Sequence, residues 1–417
     1  MIRRRTILGA GLAVPVLASA GTAEAASGRE PRAIDATVIT EVTPVGYKVT
    51  GLAIEYDRIV HSGHIDSFDV KVTLTRPGVD PLTGSRTVLA AYPNNAPEFS
   101  ERQRPGRYVI LELDENDPLA AGAYNQTYTR FYDLKGAYEV QQVTNTNVRS
   151  LIVDDYASGA FGALPYRFYT PKMRPGRKYP LVVTLHGHGE SGTDNFAQIA
   201  GNQISIAFAD PARQDRHAAF VLSPQAPQGT PGTGGWWRPD MRAAVLDLVR
   251  ATVAGNPAID PNRVYLTGLS MGSYGSWAFL PEHNDLFAGA ILVCGAGNET
   301  AAVTTLGDFP IWAVHSIDDA VVAYDAPGSD YRIFKALEAA GRPVTWSEWA
   351  GTAPNRAQEA YAADARRRAT SSGSKHIFTT FPAGTTPLFS HGSWIPTYPN
   401  NVIIDWLFNQ RAKQDPH

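Results

Sequence analysis

One segment of the chain places a nucleophilic side chain between two glycines. Residues 264–267 form an apolar, β-type run that leads directly into Gly268-Leu-Ser270-Met-Gly272. In a Gly-x-Ser-x-Gly turn the chain passes sharply from strand to helix, and the serine occupies strained backbone. Taken alone, the pattern fits an ordinary turn serine as well as a nucleophile. Ser270 is therefore a candidate nucleophile that needs partners from other parts of the chain.

Three other apolar runs end in residues that could act on such a serine. They lead into the Gly-rich loop 186–192, into His315-Ser-Ile-Asp-Asp319 and into His391. An imidazole can take the proton of a serine hydroxyl, a carboxylate can hold the imidazole, and loop amides can bind a substrate oxygen. Because reactive groups collect at the carboxyl ends of strands in open α/β sheets, we expect these groups to meet.

The second part of the chain alternates strand-like and helix-like patterns. Apolar runs typical of strands buried on both faces occur at 181–185, 220–222, 264–267, 290–293 and 311–314. Helical periodicity or composition is found at 245–252, 331–340, 357–369 and 402–408. This alternation predicts an α/β domain with a mostly parallel sheet over residues 151–417.

The first part of the chain is β-type throughout. Alternating or β-branched runs separated by turn residues lie at 38–42, 47–56, 68–74, 86–91 and 108–113. Short strands at this spacing predict an all-β sandwich of immunoglobulin-like size over residues 37–148, without the Cys-Trp-Cys pattern of antibody domains.

The N-terminal residues have the pattern of an export signal. Residues 3–6 read Arg-Arg-Arg-Thr, residues 7–20 are apolar, and Ala23-Glu-Ala25 is a small-x-small cleavage site. We expect residues 1–26 to be a twin-arginine-type signal peptide and the protein to be secreted. The apolar run is short and contains Pro15, so no stable membrane insertion is expected after signal removal.

Composition narrows the possible partners. The 417 residues carry a formal net charge of −3, and only 18% of them are charged, which gives no basic surface for nucleic acid. Cys294 is the single cysteine, so no intramolecular disulfide can form. Because Cys294 follows the apolar run 290–293, we expect a packed, inert thiol. Small neutral substrates fit this composition better than charged polymers.

The motifs of residues 151–417 resemble the α/β-hydrolase family. Within it they are similar to secreted feruloyl-esterase-like and prolyl-oligopeptidase-like hydrolases, and to carboxylesterases with an N-terminal immunoglobulin-like domain. The matching segments are His186-Gly187-x-Gly189-Glu190, 260–265 leading into 268–272, 310–322, and 391–394 with 405–407. Over the first domain the resemblance is only architectural.

The resemblance implies a Ser-Asp-His triad, with Ser270 as nucleophile, Asp319 as acid and His391 as base. Asp318 is the alternative acid, but Asp319 is the fifth residue counted from the histidine, as in the family pattern His-Gly-x-x-Asp. His376 is the alternative base, but it lies in a strand-like run, whereas His391 opens a Gly-containing loop.

The same resemblance implies an oxyanion hole formed by the N–H groups of Met271 and His188. Glu190 is expected to anchor the oxyanion loop or to be a solvated carboxylate. Trp236 and Trp237 are expected either to line an acyl or aryl pocket or to pack. The histidines lack the spacing of a ligand set, so neither a metal nor an organic cofactor is expected.

Three features depart from the family pattern. Ser316 and Ser273 replace glycines, and residues 351–390 intervene before His391 as an expected insertion, either a lid, a pocket wall or a surface excursion. The sequence thus predicts a secreted serine carboxylic ester hydrolase acting through an acyl-enzyme on a small-molecule or polymer-linked ester. A serine peptidase on the same scaffold and an inactive secreted binding protein are the alternatives. The oligomeric state is not predicted.

Overall fold

The computed structural model describes residues 30–61, 68–76, 79–126, 130–133, 135–229 and 234–412. The expected signal peptide, residues 1–26, lies outside the described residues. Within the described ranges, none of the helices combines the length and the hydrophobicity needed to cross a membrane.

The first part of the chain forms two facing β-sheets. Its strands are β1 (Ala33–Thr43), β2 (Gly46–Val60), β3 (Val70–Arg76), β4 (Val79–Arg86), β5 (Val88–Asn94), β6 (Gly106–Leu113), β7 (Ala123–Gln126), β8 (Arg130–Asp133), β9 (Lys135–Val140), β10 (Val143–Thr144) and β11 (Asn147–Ser150). The sheets have the orders β11-β1-β2-β6-β5 and β10-β9-β3-β4. Buried Leu52, Val72 and Tyr138 belong to the core between them. The predicted β-sandwich is confirmed.

The five strands predicted from alternation overlap β1, β2, β3, β5 and β6. The strands β7 and β8 form a separate two-stranded hairpin. The backbone of β8 lies beside the turn at His188–Glu190 in the second domain. The β domain therefore reaches the region where the sequence places the oxyanion loop.

The second part of the chain forms one nine-stranded sheet. Its strands are β12 (Tyr156–Phe161), β13 (Leu164–Tyr169), β14 (Tyr179–Leu185), β15 (Phe220–Pro224), β16 (Ile259–Leu269), β17 (Gly289–Val293), β18 (Ile311–Ser316), β19 (Val344–Glu348) and β20 (His376–Phe381). Their order is β12-β13-β15-β14-β16-β17-β18-β20-β19. Only β12, β13 and β15 take part in antiparallel pairs; β15 also pairs with β14 in parallel, like the remaining neighbours.

Helices cover both faces of this sheet. They are α1 (Ala197–Ala200), α2 (Ile206–Ala209), α3 (Pro211–Arg216), α4 (Pro239–Gly255), α5 (Met271–His283), α6 (Glu299–Thr305), α7 (Asp330–Ala339), α8 (Asn355–Ser372), α9 (Trp394–Thr397) and α10 (Asn401–Phe408). Every residue of β14, β15, β17 and β18 is buried, because one core lies on each side of the sheet. The predicted α/β-hydrolase fold with a mostly parallel sheet is confirmed.

Residues 351–390 are not a lid over the sheet. The segment forms α8, which ends at Gly373 with a φ of 69°, and then β20. β20 pairs with β18 on one side and with β19 on the other, so it is an interior strand. The interpretation as an insertion is therefore wrong for most of this segment. Two strands, β19 and β20, separate the acid loop from His391 in sequence.

The two domains share a hydrophobic core. Val42 and Tyr47, on either side of the β1–β2 turn, belong to the same buried cluster as Tyr156 of the sheet domain. The ring of Tyr47 packs edge-on against Phe196, with centroids 5.5 Å apart. The turn also accepts a hydrogen bond of 3.2 Å at Pro44 O from Trp394 Nε1. The β domain is thus docked near the loop that carries His391.

Candidate active site

Ser270 occupies the sharp turn between β16 and α5. Its backbone has φ 51° and ψ −121°, a conformation that residues with a Cβ rarely adopt. The turn is held by a 2.9 Å hydrogen bond from Ser270 N to Val293 O at the end of β17. The side chain is half-buried, whereas both neighbours in the chain are buried. The turn therefore presents the hydroxyl above the sheet.

Both glycines of the motif are required by close backbone contacts. A Cβ on Gly268 would lie 2.3 Å from Gly272 O, and one on Gly272 would lie 1.9 Å from Leu185 O. These distances are far shorter than real carbon–oxygen contacts, and the opposing atoms are backbone that cannot rotate away. The start of α5 consequently packs directly against the end of β14, which precedes the Gly-rich loop.

His391 connects Ser270 to Asp319. Its Nε2 lies 2.9 Å from Ser270 Oγ, and its Nδ1 lies 2.7 Å from Asp319 Oδ2. Because a carboxylate only accepts hydrogen bonds, Nδ1 carries a proton and Nε2 can accept the proton of the serine hydroxyl. The structure thus brings together the three residues that the sequence assigned to the triad, in the geometry of a nucleophile, a base and an orienting carboxylate.

The loop after β18 fixes the carboxylate of Asp319. Its Oδ1 accepts hydrogen bonds from the amides of Val321, at 2.8 Å, and Val322, at 2.9 Å. Burial alone would raise the pKa of Asp319, but hydrogen bonds from His315 and His391 outweigh burial and hold this pKa well below its usual value. Asp319 is therefore an ionised acceptor over the whole neutral range.

The two alternative residues lie elsewhere. Asp318 accepts hydrogen bonds from Ser316 Oγ, at 2.7 Å, and Gly384 N, at 2.8 Å. It therefore braces the loops instead of contacting His391. His376 is the first residue of β20, where its Nε2 lies 3.0 Å from Leu306 O. It sits at the amino end of a strand, the opposite edge of the sheet from Ser270.

The Gly-rich loop after β14 is anchored by two buried side chains. His186 Nε2 accepts a 2.9 Å hydrogen bond from Ala226 N, and Nδ1 lies 2.6 Å from Gly187 O. Burial lowers the pKa of His186 to about 4, so the ring is neutral, as this bonding requires. Glu190 is also buried, and this burial raises its pKa above the ordinary value. Glu190 is thus an internal support of the loop.

The two expected oxyanion donors begin helical segments. Met271 is the first residue of α5, and His188 is the first residue of the 3-10 turn that ends at Glu190. The first amides of a helix have no partner inside it and remain available to an anion. The contacts of Gly272 with Leu185 O and of Gly187 with Leu269 bring these segments against each other.

Comparison with known proteins identifies both parts of the chain. The family model described as "Esterase Ig-like N-terminal domain" matches residues 35–151, and the model described as "Putative esterase" matches residues 162–387, more than half of the chain. The chain belongs to this esterase family.

Among solved structures, the chain is similar to the "Crystal Structure of a Thermostable Esterase". The two share 32% sequence identity with a TM-score of 0.75 over 90% of this chain and 99% of the other. Among curated proteins it is 29% identical over 167 residues to "Putative esterase NocK" of Nocardia uniformis subsp. tsuyamanensis. It is 28% identical over 134 residues to "Poly(3-hydroxyalkanoate) depolymerase C" of Paucimonas lemoignei. The matches span only 44% and 30% of these two relatives.

The two tryptophans of the loop before α4 have different environments in this esterase-family chain. Trp236 is fully buried and donates from Nε1 to His186 O over 3.0 Å, so it packs beneath the loop. The expectation that Trp236 lines a pocket is therefore wrong, and Trp236 is a core residue. Trp237 is half-buried, and its ring contacts those of His188 and Tyr274, at centroid distances of 6.1 and 5.6 Å. Trp237 therefore lies beside the expected oxyanion loop and against α5.

Cys294 lies next to the triad. Its thiol is fully buried, and burial raises its pKa well above the ordinary value, so it is a packed thiol. In the described ranges, Cys294, Asp319 and His391 are the cluster with metal-ligand types, with ligand atoms within 4.8 Å of one another. Asp319 and His391 already bond to each other, so a metal there would break the triad.

Sequence reasoning did not find three residues that contact the site. Asp330 reaches His315 beside the triad through tertiary packing alone, whereas Tyr274 lies near Ser270 at the start of α5 and Trp394 lies close to His391 in sequence. Trp394 stands three residues after His391, and its ring packs edge-on against that histidine at 5.5 Å. The His391-x-x-Trp394 pattern was visible, but its spacing does not reveal a contact. Asp330 has no sequence signal, because it follows Asp319 by eleven residues in a turn-rich segment.

Proposed function

We propose that the protein is a serine carboxylic ester hydrolase that works through an acyl-enzyme. The observation that carries this proposal is the continuous chain of contacts from Ser270 Oγ through His391 to Asp319, with distances of 2.9 and 2.7 Å. Membership of the esterase family supports ester bonds as the target.

In the first half-reaction, Ser270 Oγ attacks the ester carbonyl carbon while His391 Nε2 takes the hydroxyl proton. The imidazolium is stabilised by Asp319, which itself keeps its charge. The tetrahedral intermediate then breaks the bond to the alcohol oxygen, and His391 returns the proton to that leaving group. Ser270 is left esterified to the acyl group.

In the second half-reaction a water molecule takes the place of the alcohol. His391 removes one proton from the water as its oxygen attacks the acyl carbon, and returns that proton to Ser270 Oγ as the acid leaves. The amides of Met271 and His188 would bind the oxyanion in both halves. A single donor of this kind is worth about 10²- to 10³-fold in kcat.

The aromatic side chains beside the expected oxyanion loop favour an uncharged substrate. Trp237, Tyr274 and His188 present half-buried aromatic rings, and burial lowers the pKa of His188, which keeps it neutral at pH 7. We therefore propose a neutral small-molecule or polymer-linked ester. The similarity to a relative named poly(3-hydroxyalkanoate) depolymerase supports a polymeric ester as one such substrate. A serine peptidase shares the same triad and is the second candidate.

Labelling and substrate panels test this proposal. Wild-type protein should react with a fluorophosphonate, whereas Ser270→Ala should not, and its kcat on a chromogenic ester should fall by about 10⁴-fold or more. Activity or labelling that survives in Ser270→Ala would remove the nucleophile assignment. Chromogenic esters of increasing acyl length and peptide anilides should then be compared, and turnover of anilides alone would replace the esterase by the peptidase.

We also propose export by the twin-arginine route, on the pattern of residues 1–26. A reporter fused after residue 26 should be exported, and the replacement of Arg3, Arg4 and Arg5 by lysine should abolish its export while conserving charge. Export that is unchanged by these replacements would point to a different route.

A further inference from the structure

A second buried acid–base pair lies behind the triad. His315, the fifth residue of β18, and Asp330, the first residue of α7, are both fully buried. His315 Nδ1 lies 3.1 Å from Asp330 Oδ2. His315 Nε2 lies 2.8 Å from Val322 O and 3.3 Å from Asp319 Oδ2. The catalytic carboxylate of the proposed triad is therefore shared by two histidines.

The bonding of His315 determines its charge. A neutral imidazole has one nitrogen that donates and one that accepts. Here both nitrogens face oxygen atoms that can only accept, namely a carboxylate at Nδ1 and a carbonyl with a carboxylate at Nε2. A neutral ring would place a lone pair against an oxygen in a dry interior, which is costly. The geometry requires a proton on each nitrogen.

We infer that His315 is a positioning residue that stays protonated through the neutral range and, with Asp330, fixes the carboxylate of Asp319 and offsets its charge. The inference rests on the proposed triad. The cluster of Asp319, Asp330 and the His315 cation carries one negative charge, the same as a lone carboxylate. Without the cation, His391 would face two buried negative charges.

Further hydrogen bonds and a ring contact surround the His315–Asp330 pair. Asp330 Oδ1 accepts a 2.5 Å hydrogen bond from Trp277 Nε1 of α5, and Asp330 Oδ2 accepts one of 2.6 Å from Gly295 N after β17. The ring of Tyr324 packs edge-on against His315 at 5.7 Å. These contacts tie the pair to the nucleophile helix and to the ends of two central strands.

The other titratable groups facing the pair are neutral near pH 7. Burial raises the pKa values of Tyr274, Tyr324 and Cys294, and each of these groups is uncharged below its pKa. Burial by itself would lower the pKa of His315, but hydrogen bonds to Asp319 and Asp330 raise it to about 9. The charge of the cluster is therefore constant through the neutral range.

The test is the pH dependence of kcat/KM in His315→Gln, in which an amide can still donate to Asp319 but carries no charge. The acid limb of the profile should move to higher pH by about one unit, because His391 protonates more readily beside an uncompensated carboxylate. His376→Gln is the matched control: it also removes a fully buried histidine of the same sheet and should leave the limb unchanged. A limb that stays in place in His315→Gln overturns the inference.

Stability gives a second measurement. Because the folded-state pKa of about 9 exceeds the ordinary 6.5, the contribution of His315 is complete below pH 6.5 and is lost as pH rises through about 9. The difference in unfolding free energy between wild type and His315→Gln should therefore shrink from pH 6.5 to pH 9. A constant difference would contradict a protonated His315.

A third measurement needs no variant. Nitrogen-15 spectra of histidine-labelled wild-type protein at pH 7.5 should contain one solvent-shielded ring with protons on both nitrogens. Spectra in which every shielded ring carries a single proton overturn the inference even if His315→Gln does not fold. Failure of the proposed function is distinguishable, because it is seen as activity remaining in Ser270→Ala.

Discussion

At this site a single carboxylate is held in place by several hydrogen-bond donors. The carboxylate of Asp319 receives two backbone amides on Oδ1 and contacts two histidines through Oδ2. These four contacts hold the Asp319 carboxylate in one orientation. The side chain of Asp318, one position earlier, has entirely different partners. The choice between adjacent aspartates is thus a matter of loop geometry.

This difference predicts opposite results for two matching substitutions. Asp319→Asn should lower kcat by about 10⁴-fold, because an amide stabilises the wrong tautomer of His391 and cannot balance its positive charge. Asp318→Asn should keep kcat within about twofold, since Asp318 is exposed and bonds to Ser316 and Gly384, not to His391. Steady-state kinetics on one ester suffices, and equal losses in both variants would contradict the assignment of the acid.

At the scale of elements, the site depends on one close approach between α5 and β14. The helix can begin beside the strand only because residue 272 has no side chain, and this places the amide of Met271 against the Gly-rich loop. The strained turn at Ser270 is stable because β17 and α5 hold both of its ends.

Gly272→Ala tests this approach. The added Cβ would lie 1.9 Å from Leu185 O, so α5 must move away, with a loss of about 1–3 kcal/mol in unfolding free energy and a fall in kcat. Gly255→Ala, at the end of α4, meets nothing within 4 Å and should leave stability and activity unchanged or slightly improved. Chemical denaturation measures the stability of both variants, and ester kinetics measures their kcat. A Gly272→Ala protein with wild-type kcat would show that the oxyanion site does not need this contact.

At the scale of the whole molecule, the β domain contacts the side chain that packs against His391. The turn between β1 and β2 accepts a hydrogen bond from Trp394 at Pro44 O, and the ring of Trp394 packs against His391. The indole ring of Trp394 therefore links the β-sandwich to His391.

Trp394→Phe keeps an aromatic ring at this position but removes the indole N–H. We expect kcat/KM to fall by about 2- to 10-fold and the unfolding free energy to fall by about 1 kcal/mol, the net value of one hydrogen bond. Trp346→Phe is the control, since its Nε1 bonds to Glu338 at the far edge of the sheet over 2.7 Å. It should lose similar stability at unchanged kcat/KM. Identical kinetics in the two variants would mean that the docked domain does not act on His391.

The sequence by itself determined the class of fold and predicted which three side chains should meet. Apolar runs buried on both faces predict parallel strands, and the glycines around Ser270 predict the strained turn, because both signals are local and arise from sterics and burial. The order Ser270, Asp319, His391 followed from a motif resemblance, and the structure brings these three side chains into contact.

Only the tertiary structure decided which residues surround this chemistry. Residues 351–390 read as an insertion, because sequence periodicity does not say where in a sheet a strand will pair, and β20 pairs between β18 and β19. The sequence left Trp236 open between lining a pocket and packing, and in the structure it packs beneath the loop. Asp330 meets His315, and Pro44 meets Trp394 across 350 residues of sequence, because side chains distant in sequence are brought together only by packing.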